Sequence, residues 1–172
     1  GKERFIFSYS PLDKSEVYNA SLLGARLLAQ GYYYTKNKNW LALSQNAVAT
    51  ICELQDQKGS WVYGAAKNQQ WKDSFHTGFN LECLYDFQKY TSDSSYVKYF
   101  EKGMEFYIEN FFKNDGTPKY YYNKTYPIDI HSPAQFIVTL IKTNHYSQNR
   151  DLSNKVLQFT LKNMQSKRGD FY

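Results

Sequence analysis

Gln55-Asp56-Gln57-Lys58-Gly59-Ser60-Trp61 is the stretch on which the reading of this chain turns. It ends an apolar helical run, and two later stretches match its layout: Asn114-Asp115-Gly116-Thr117-Pro118-Lys119-Tyr120 and Gln165-Ser166-Lys167-Arg168-Gly169-Asp170-Phe171. The glycines stand at intervals of 57 and 53 residues, and an aromatic follows each within a few positions. Glycine takes the positive φ that reverses a chain after a helix. A repeat of this period marks an array of similar units.

A second register accompanies the first. Asp13-Lys14-Ser15-Glu16, Asp73-Ser74-Phe75-His76 and Asp129-Ile130-His131 each stand where a new apolar run begins. Between the two registers, 3.6-residue periodicity predicts six helices: about Lys14 to Gln30, Asn37 to Gln55, Ser74 to Lys89, Ser94 to Phe112, Ser132 to Thr143, and Leu152 to Gln165. Asp13 with Glu16 three residues on reads as a capping box, and Gly31 as the stop of the first helix. Pro133 suits an early helical position.

Connections after the first, third and fifth helices are short, which makes antiparallel neighbours. Those after the second and fourth, near 56–73 and 113–131, are long and rich in Trp, Tyr, Gly and Pro. Long ordered loops are disproportionately functional. The first and fifth helices are apolar nearly all round, whereas the even-numbered ones carry polar faces. The expected fold is therefore all-α. Three consecutive helical hairpins (about 13–61, 73–120 and 129–172) put the odd helices inside and the even ones outside.

Composition narrows the partners. Aromatic residues make up 19% of the chain, Tyr alone numbering 17, which excludes disorder and suits half-wet surfaces such as sugar clefts as well as a Tyr-rich core. The net charge of +5 comes from scattered lysines, without the basic stripe of a nucleic-acid binder. No stretch is long and apolar enough to span a bilayer. Cys52 and Cys83 fall on apolar helical faces, where a small buried thiol is the default.

A helix ending in Gln, then a short polar stretch and Gly-x-Trp, resembles the Gln-Trp repeat of terpenoid cyclases and related α/α-toroid proteins. Gln55, Gly59 and Trp61 match it; the second copy lacks the Gln and the Trp, and the third has Phe171 in the Trp place. The resemblance implies about half of a toroid, a complete one having about twice as many helices. The chain then reads as a piece of a larger protein with an exposed apolar edge that invites self-association. The cyclases' Asp-x-Asp-Asp motif is missing, and the prenyltransferases' Cys/His/Asp zinc set cannot be assembled.

Six-hairpin glycosidases, polysaccharide lyases and sugar epimerases share the toroid. The segments Trp71 to Phe79 and Tyr126 to Ser132 are similar to those of proteins that accompany bacterial surface-polysaccharide clusters.

In such a toroid the long loops and the N-termini of the inner helices meet at one rim. The expected catalytic set is His76, His131, Asp73, Asp129 and Tyr126. The expected substrate-binding set is Trp61, Tyr63, Trp71, Tyr120 and Tyr122. His76 or His131 would be general base, Asp73 or Asp129 the orienting carboxylate, and Tyr63 or Tyr126 the proton donor. A His/Tyr pair suits proton abstraction beside a uronate carboxylate, whereas glycoside hydrolysis wants two facing carboxylates.

Each residue also has a plainer role. Asp73 and Asp129 are good N-caps, and the histidines can simply bond loop carbonyls. No metal or other cofactor is implied. The alternatives to a glycan-processing enzyme are a non-catalytic helical-repeat binding module and an isoprenoid cyclase-like protein.

Overall fold

The computed structural model describes residues 4–171. Among them the backbone forms α1 (Tyr18–Thr35), α2 (Lys38–Glu53), α3 (Ser74–Thr91), α4 (Val97–Phe111), α5 (His131–Lys142) and α6 (Arg150–Asn163), with one 3-10 turn at Lys67–Gln69. No strand forms among these residues, and four isolated β-bridges pin the loops. The chain is all-α. Tyr172, the last residue of the third expected repeat, lies outside the described residues.

Helix ends follow local chemistry, and α1 departs furthest from expectation. Asp13 does not cap it: its carboxylate accepts the Ser15 amide at 2.8 Å in a tight turn, while Glu16 pairs with Arg4. Val17 stays extended, bridged to Gly64, and the helix starts at Tyr18. Nor does Gly31 stop the helix. A Cβ there would stand 2.8 Å from the Trp40 ring, so glycine is what lets α2 pack close. α1 runs on to Thr35, where Lys36 turns left-handed at φ 58°. Side-chain capping is clean at α2 and α3: Asn37 accepts the amides of Asn39 and Trp40, and Asp73 accepts that of His76.

The odd helices pack in a row, α1 against α3 and α3 against α5, and each even helix packs on the odd helix before it. Leu22, Ile51, Leu81, Phe87, Tyr107, Phe111, Phe136 and Leu140 fill the core between these layers. Only α3 has odd helices on both sides. Leu23 and Leu27 of α1, and Val138 and Ile141 of α5, are therefore exposed rather than buried on both faces.

Charge is buried in that row as well. Arg26 of α1 bonds Asp86 of α3 at 3.1 Å, and Lys142 of α5 bridges Asp86 (2.7 Å) and Glu82 (3.1 Å). Glu82 also accepts Gln135 Nε2 at 2.6 Å and the Thr139 hydroxyl at 3.0 Å. Periodicity gave no hint of this network, because its members sit singly among apolar neighbours.

The three glycine turns share one backbone geometry. Gly59, Gly116 and Gly169 have φ of 93°, 89° and 97°. Each glycine amide donates to the carbonyl three residues back: Asp56 at 3.0 Å, Lys113 at 2.8 Å and Ser166 at 3.0 Å. Those same three residues donate their own amides to Ser60 (2.9 Å), Thr117 (3.0 Å) and Asp170 (2.8 Å). In the outer two turns a Gln closes the loop, Gln55 Nε2 to the Gly59 carbonyl at 2.9 Å and Gln165 Nε2 to the Gly169 carbonyl at 3.0 Å.

The long loops repeat too. The Tyr18 amide donates to the Tyr63 carbonyl at 3.1 Å, and the Ser74 amide to the Tyr120 carbonyl at 2.8 Å. Each loop thus folds back over the N-terminus of the odd helix behind it.

Candidate functional site

Side chains gather at the N-termini of α3 and α5, where the two long loops end. Asp73, at the cap of α3, is buried with its carboxylate surrounded by donors. It accepts the His76 amide at 2.8 Å, His76 Nδ1 at 2.8 and 2.9 Å, and Trp71 Nε1 at 2.9 Å. A carboxylate only accepts, so Nδ1 of His76 carries the proton and Nε2 is left as the basic nitrogen.

Trp71 lies flat on Tyr63, with ring centroids 4.6 Å apart and planes 12° from parallel. The Tyr63 ring meets His76 at 4.6 Å. One chain of contacts therefore runs from an aromatic stack, through a buried carboxylate, to an imidazole.

The second copy has the same chemistry and more solvent. His131 Nδ1 lies 2.7 Å from Oδ1 of Asp129, which also accepts the His131 amide at 2.8 Å. Phe75 connects the two dyads: its ring is 5.4 Å from His76 and 4.9 Å from His131, edge-on to both. Phe75 was not among the expected residues. The only signal was its place between Asp73 and His76, on a helix start already singled out.

Tyr120 belongs here as well, its ring 4.8 Å from Tyr121. Burial, then the nearby charges of Asp73, Tyr121 and Asp129, push its phenol up to about 12. Burial chiefly, with Tyr9 and Asp73 behind it, raises Tyr63. Both phenols hold their protons at neutral pH. Tyr9 and Asp13 of the N-terminal arm thus bear electrostatically on Tyr63, a neighbourhood that sequence distance concealed.

Comparison with known protein families, with curated proteins and with solved structures finds no match to this chain. Function is therefore read from geometry.

Three expected residues stand apart from the cluster. Trp61 is 2% exposed: its Nε1 donates to the Ile51 carbonyl at 2.9 Å, and its ring fills the space that Gly103 leaves on α4. It is a core residue and offers no face to a ligand. Tyr122 packs with Lys72 (5.3 Å to its ring) and Phe106 (6.1 Å), in a group with Asp56 at the foot of α4. Tyr126 is 73% exposed, ahead of a cis Pro127, and makes none of the contacts that tie the cluster together.

The arrangement holds two imidazoles, each oriented through Nδ1, beside two protonated phenols and a flat aromatic face. Among the described residues no group of three or more His, Cys, Asp and Glu side chains converges as a metal ion would need. The cysteines play no part here. Both are buried and free, and burial pushes the Cys83 thiol up to about 12, far from the reactive thiolate range.

Proposed function

We propose that this chain is a carbohydrate-processing domain of the α/α-toroid kind, abstracting a proton beside the carboxylate of an acidic glycan, as lyases and epimerases do. The observation that carries the reading is the pair of Asp–His dyads facing one phenylalanine, with the Tyr63–Trp71 stack against His76. The architecture proposed is three helical hairpins, odd helices inside, forming part of a toroid. Its supports are the α1–α3–α5 row and the three equivalent glycine turns.

The chemistry follows from who holds which proton. Nε2 of His76 or His131 accepts the proton from the carbon next to the uronate carboxylate. The neutral phenols of Tyr63 and Tyr120 stand ready to donate, to the leaving oxygen in elimination or to the opposite face in epimerisation. Asp73 is a positioning residue: saturated by three donor groups, it keeps one tautomer of His76 and has no free lone pair aimed at substrate. This favours base chemistry over two-carboxylate hydrolysis, which needs both acids at the sugar. The flat Tyr63–Trp71 face suits the apolar side of a pyranose ring.

The test is deuterium exchange. Polyuronates incubated with the protein in heavy water are expected to take up deuterium at the carbon beside the carboxylate, or to show the unsaturated product of elimination. Removal of a general base costs about 100- to 10,000-fold, so His76→Ala and His131→Ala are expected to lose that much where they act. Binding without exchange in the wild type supports instead a non-catalytic glycan-binding module. Neither binding nor exchange across the panel rejects the carbohydrate reading.

A further inference from the structure

The first two glycine turns lie on the even helix that follows them. A Cβ on Gly59 would overlap the Lys102 carbonyl of α4, and one on Gly116 the Lys155 carbonyl of α6. Beside each of these seats a cleft opens on the outer face of the helix. One of about 400 Å³ lies between the Gly59 turn and α4, and one of about 420 Å³ between the Gly116 turn and α6. Both fall in the size range of small-ligand sites. No residue of the dyads or of the aromatic stack lines either. The first lies on the middle hairpin, with a hairpin of this chain before it and another after it, and is open all the same.

The two clefts are copies of one another. Lys102, Phe106 and Asn110 are the sixth, tenth and fourteenth residues of α4, and Lys155, Phe159 and Asn163 hold the same places on α6. Intervals of four put each set on one helix face, and all six residues line their clefts. The asparagines are also held alike. Asn110 Nδ2 donates to the Phe106 carbonyl at 3.0 Å, and Asn163 Nδ2 to the Phe159 carbonyl at 2.9 Å. Seating a glycine turn uses only the main chain at Lys102 and Lys155. It requires neither the lysine nor the asparagine side chain, so the shared types belong to the cleft.

Charge narrows the ligand. Lys58 and Lys102 line the first cleft with Glu105 and Glu109, and Lys155 and Lys162 line the second with Asp115 and Asp151. Each cleft is therefore balanced, although the chain carries a net charge of +5. An anionic ligand would meet as much repulsion as attraction there. A hydroxyl both donates and accepts, so a polyhydroxyl ligand can bond carboxylates and ammonium groups side by side. The phenylalanine midway along each stripe adds an apolar patch for ring C–H groups. An adjoining hollow of about 400 Å³ shares Gln57, Lys58 and Phe106 with the first cleft and is lined by Tyr122. Tyr122, remote from the rim, thus stands beside a sugar-sized cleft.

We propose that the two clefts are equivalent subsites for uncharged saccharide units, sugars that carry hydroxyls and no carboxylate. Lys102 or Lys155 donates to a hydroxyl, the acids across the cleft accept from others, and the phenylalanine lies under the ring. Tyr122 extends the first subsite and makes it the stronger of the two. These subsites hold a glycan away from the dyads. The inference rests on the repeated stripe and the balanced charge, and is independent of the catalytic reading.

Nitrogen–proton NMR of the full chain tests it, with the side-chain amides of Asn110 and Asn163 as reporters. The probes are cellohexaose, maltohexaose, mannohexaose and N-acetylchitohexaose, with hexagalacturonate as the charged comparison. At least one neutral hexamer is expected to move both amides, the Asn110 signal saturating first. Lys102→Ala and Lys155→Ala change exposed helix positions and leave the seating carbonyls in place. Each is expected to weaken binding at its own cleft by about fivefold, the loss of one hydrogen bond, and to leave the other cleft as it was. Tyr122→Ala is expected to weaken the first cleft alone. Amides unmoved by every neutral hexamer overturn the proposal, as does movement at one cleft only. Stronger shifts with hexagalacturonate, or lysine variants that bind like wild type, overturn it too. Deuterium exchange on polyuronates reads the rim and not these clefts, so either reading can fall without the other.

Discussion

His76 Nδ1 lies 2.8 Å from Oδ2 of Asp73, a carboxylate with 0% of its side chain exposed. The pair joins a helix cap to an imidazole, so one Asp serves the start of α3 and the tautomer of the candidate base together. Capping the helix and orienting the imidazole are work of the same carboxylate.

That geometry is visible to nitrogen NMR. In a folded sample above neutral pH, His76 and His131 are expected to carry their proton on Nδ1, the tautomer less common in free histidine. Nε2-protonated rings at both positions would contradict the dyads. Asp73→Ala is expected to cost about 2–4 kcal/mol, combining a lost N-cap with stranded Trp71 and His76 donors, read by urea unfolding.

The glycine turns predict an unequal mutational series. Alanine at Gly169 meets only the cost of a positive φ, about 1–2 kcal/mol. At Gly59 and Gly116 the added methyl also overlaps the Lys102 or Lys155 main chain, and losses of at least about 3 kcal/mol are expected. Equal losses at all three positions in thermal unfolding would mean that the turns are not seats for helices.

Lys142 holds two acids that lie under the row of odd helices. Lys142→Met is expected to destabilise by about 2–3 kcal/mol. That is less than the 3–5 kcal/mol or so of a fully buried broken pair, because Lys142 keeps 28% exposure and Asp86 keeps Arg26. The double variant Glu82→Gln with Lys142→Met is expected to recover part of the loss. No recovery would show that the two charges do not depend on one another.

Acid should weaken the fold at Asp56, a carboxylate outside the dyads. Burial alone would raise the Asp56 carboxyl, but hydrogen bonds from the Lys72 ammonium and from Ser60 outweigh it and hold the group below its ordinary range. A depressed folded pKa gives stability that is present in full above the unfolded value of about 3.9. It is lost as pH falls toward the folded value. Asp56→Asn is expected to flatten the decline in melting temperature between about pH 5 and pH 2. An unchanged slope would remove Asp56 from the acid response.

How far the sequence could be read depended on the range of the interactions. Helices α2 to α6 came within a few residues of their expected bounds because their caps and stops are local: Asn37, Asp73, the glycine turns. α1 did not, since Gly31 answers to a Trp40 ring from the next helix and Asp13 to a turn of its own. Register alone placed Asp73 and His76 at the start of α3, and Asp129 and His131 at the start of α5. Trp61 was misplaced: a Gly-x-Trp pattern shows that an aromatic folds back without showing whether it ends inside, and Gly103, 42 positions later, decides that it does. Phe75 and Tyr9 were not seen, for an apolar ring between two imidazoles has no periodic signature.

By itself the sequence determined the all-α class, the six helices and the glycine turns that close the even ones, because each rests on contacts within about a turn of helix or on a period along the chain. Tertiary structure decided the rest. The buried Arg26–Asp86–Lys142–Glu82 network, the Tyr63–Trp71 face and the seating of Gly59 on α4 and Gly116 on α6 all depend on which helices become neighbours. Those are meetings between residues dozens of positions apart, and only the packed chain brings them within reach.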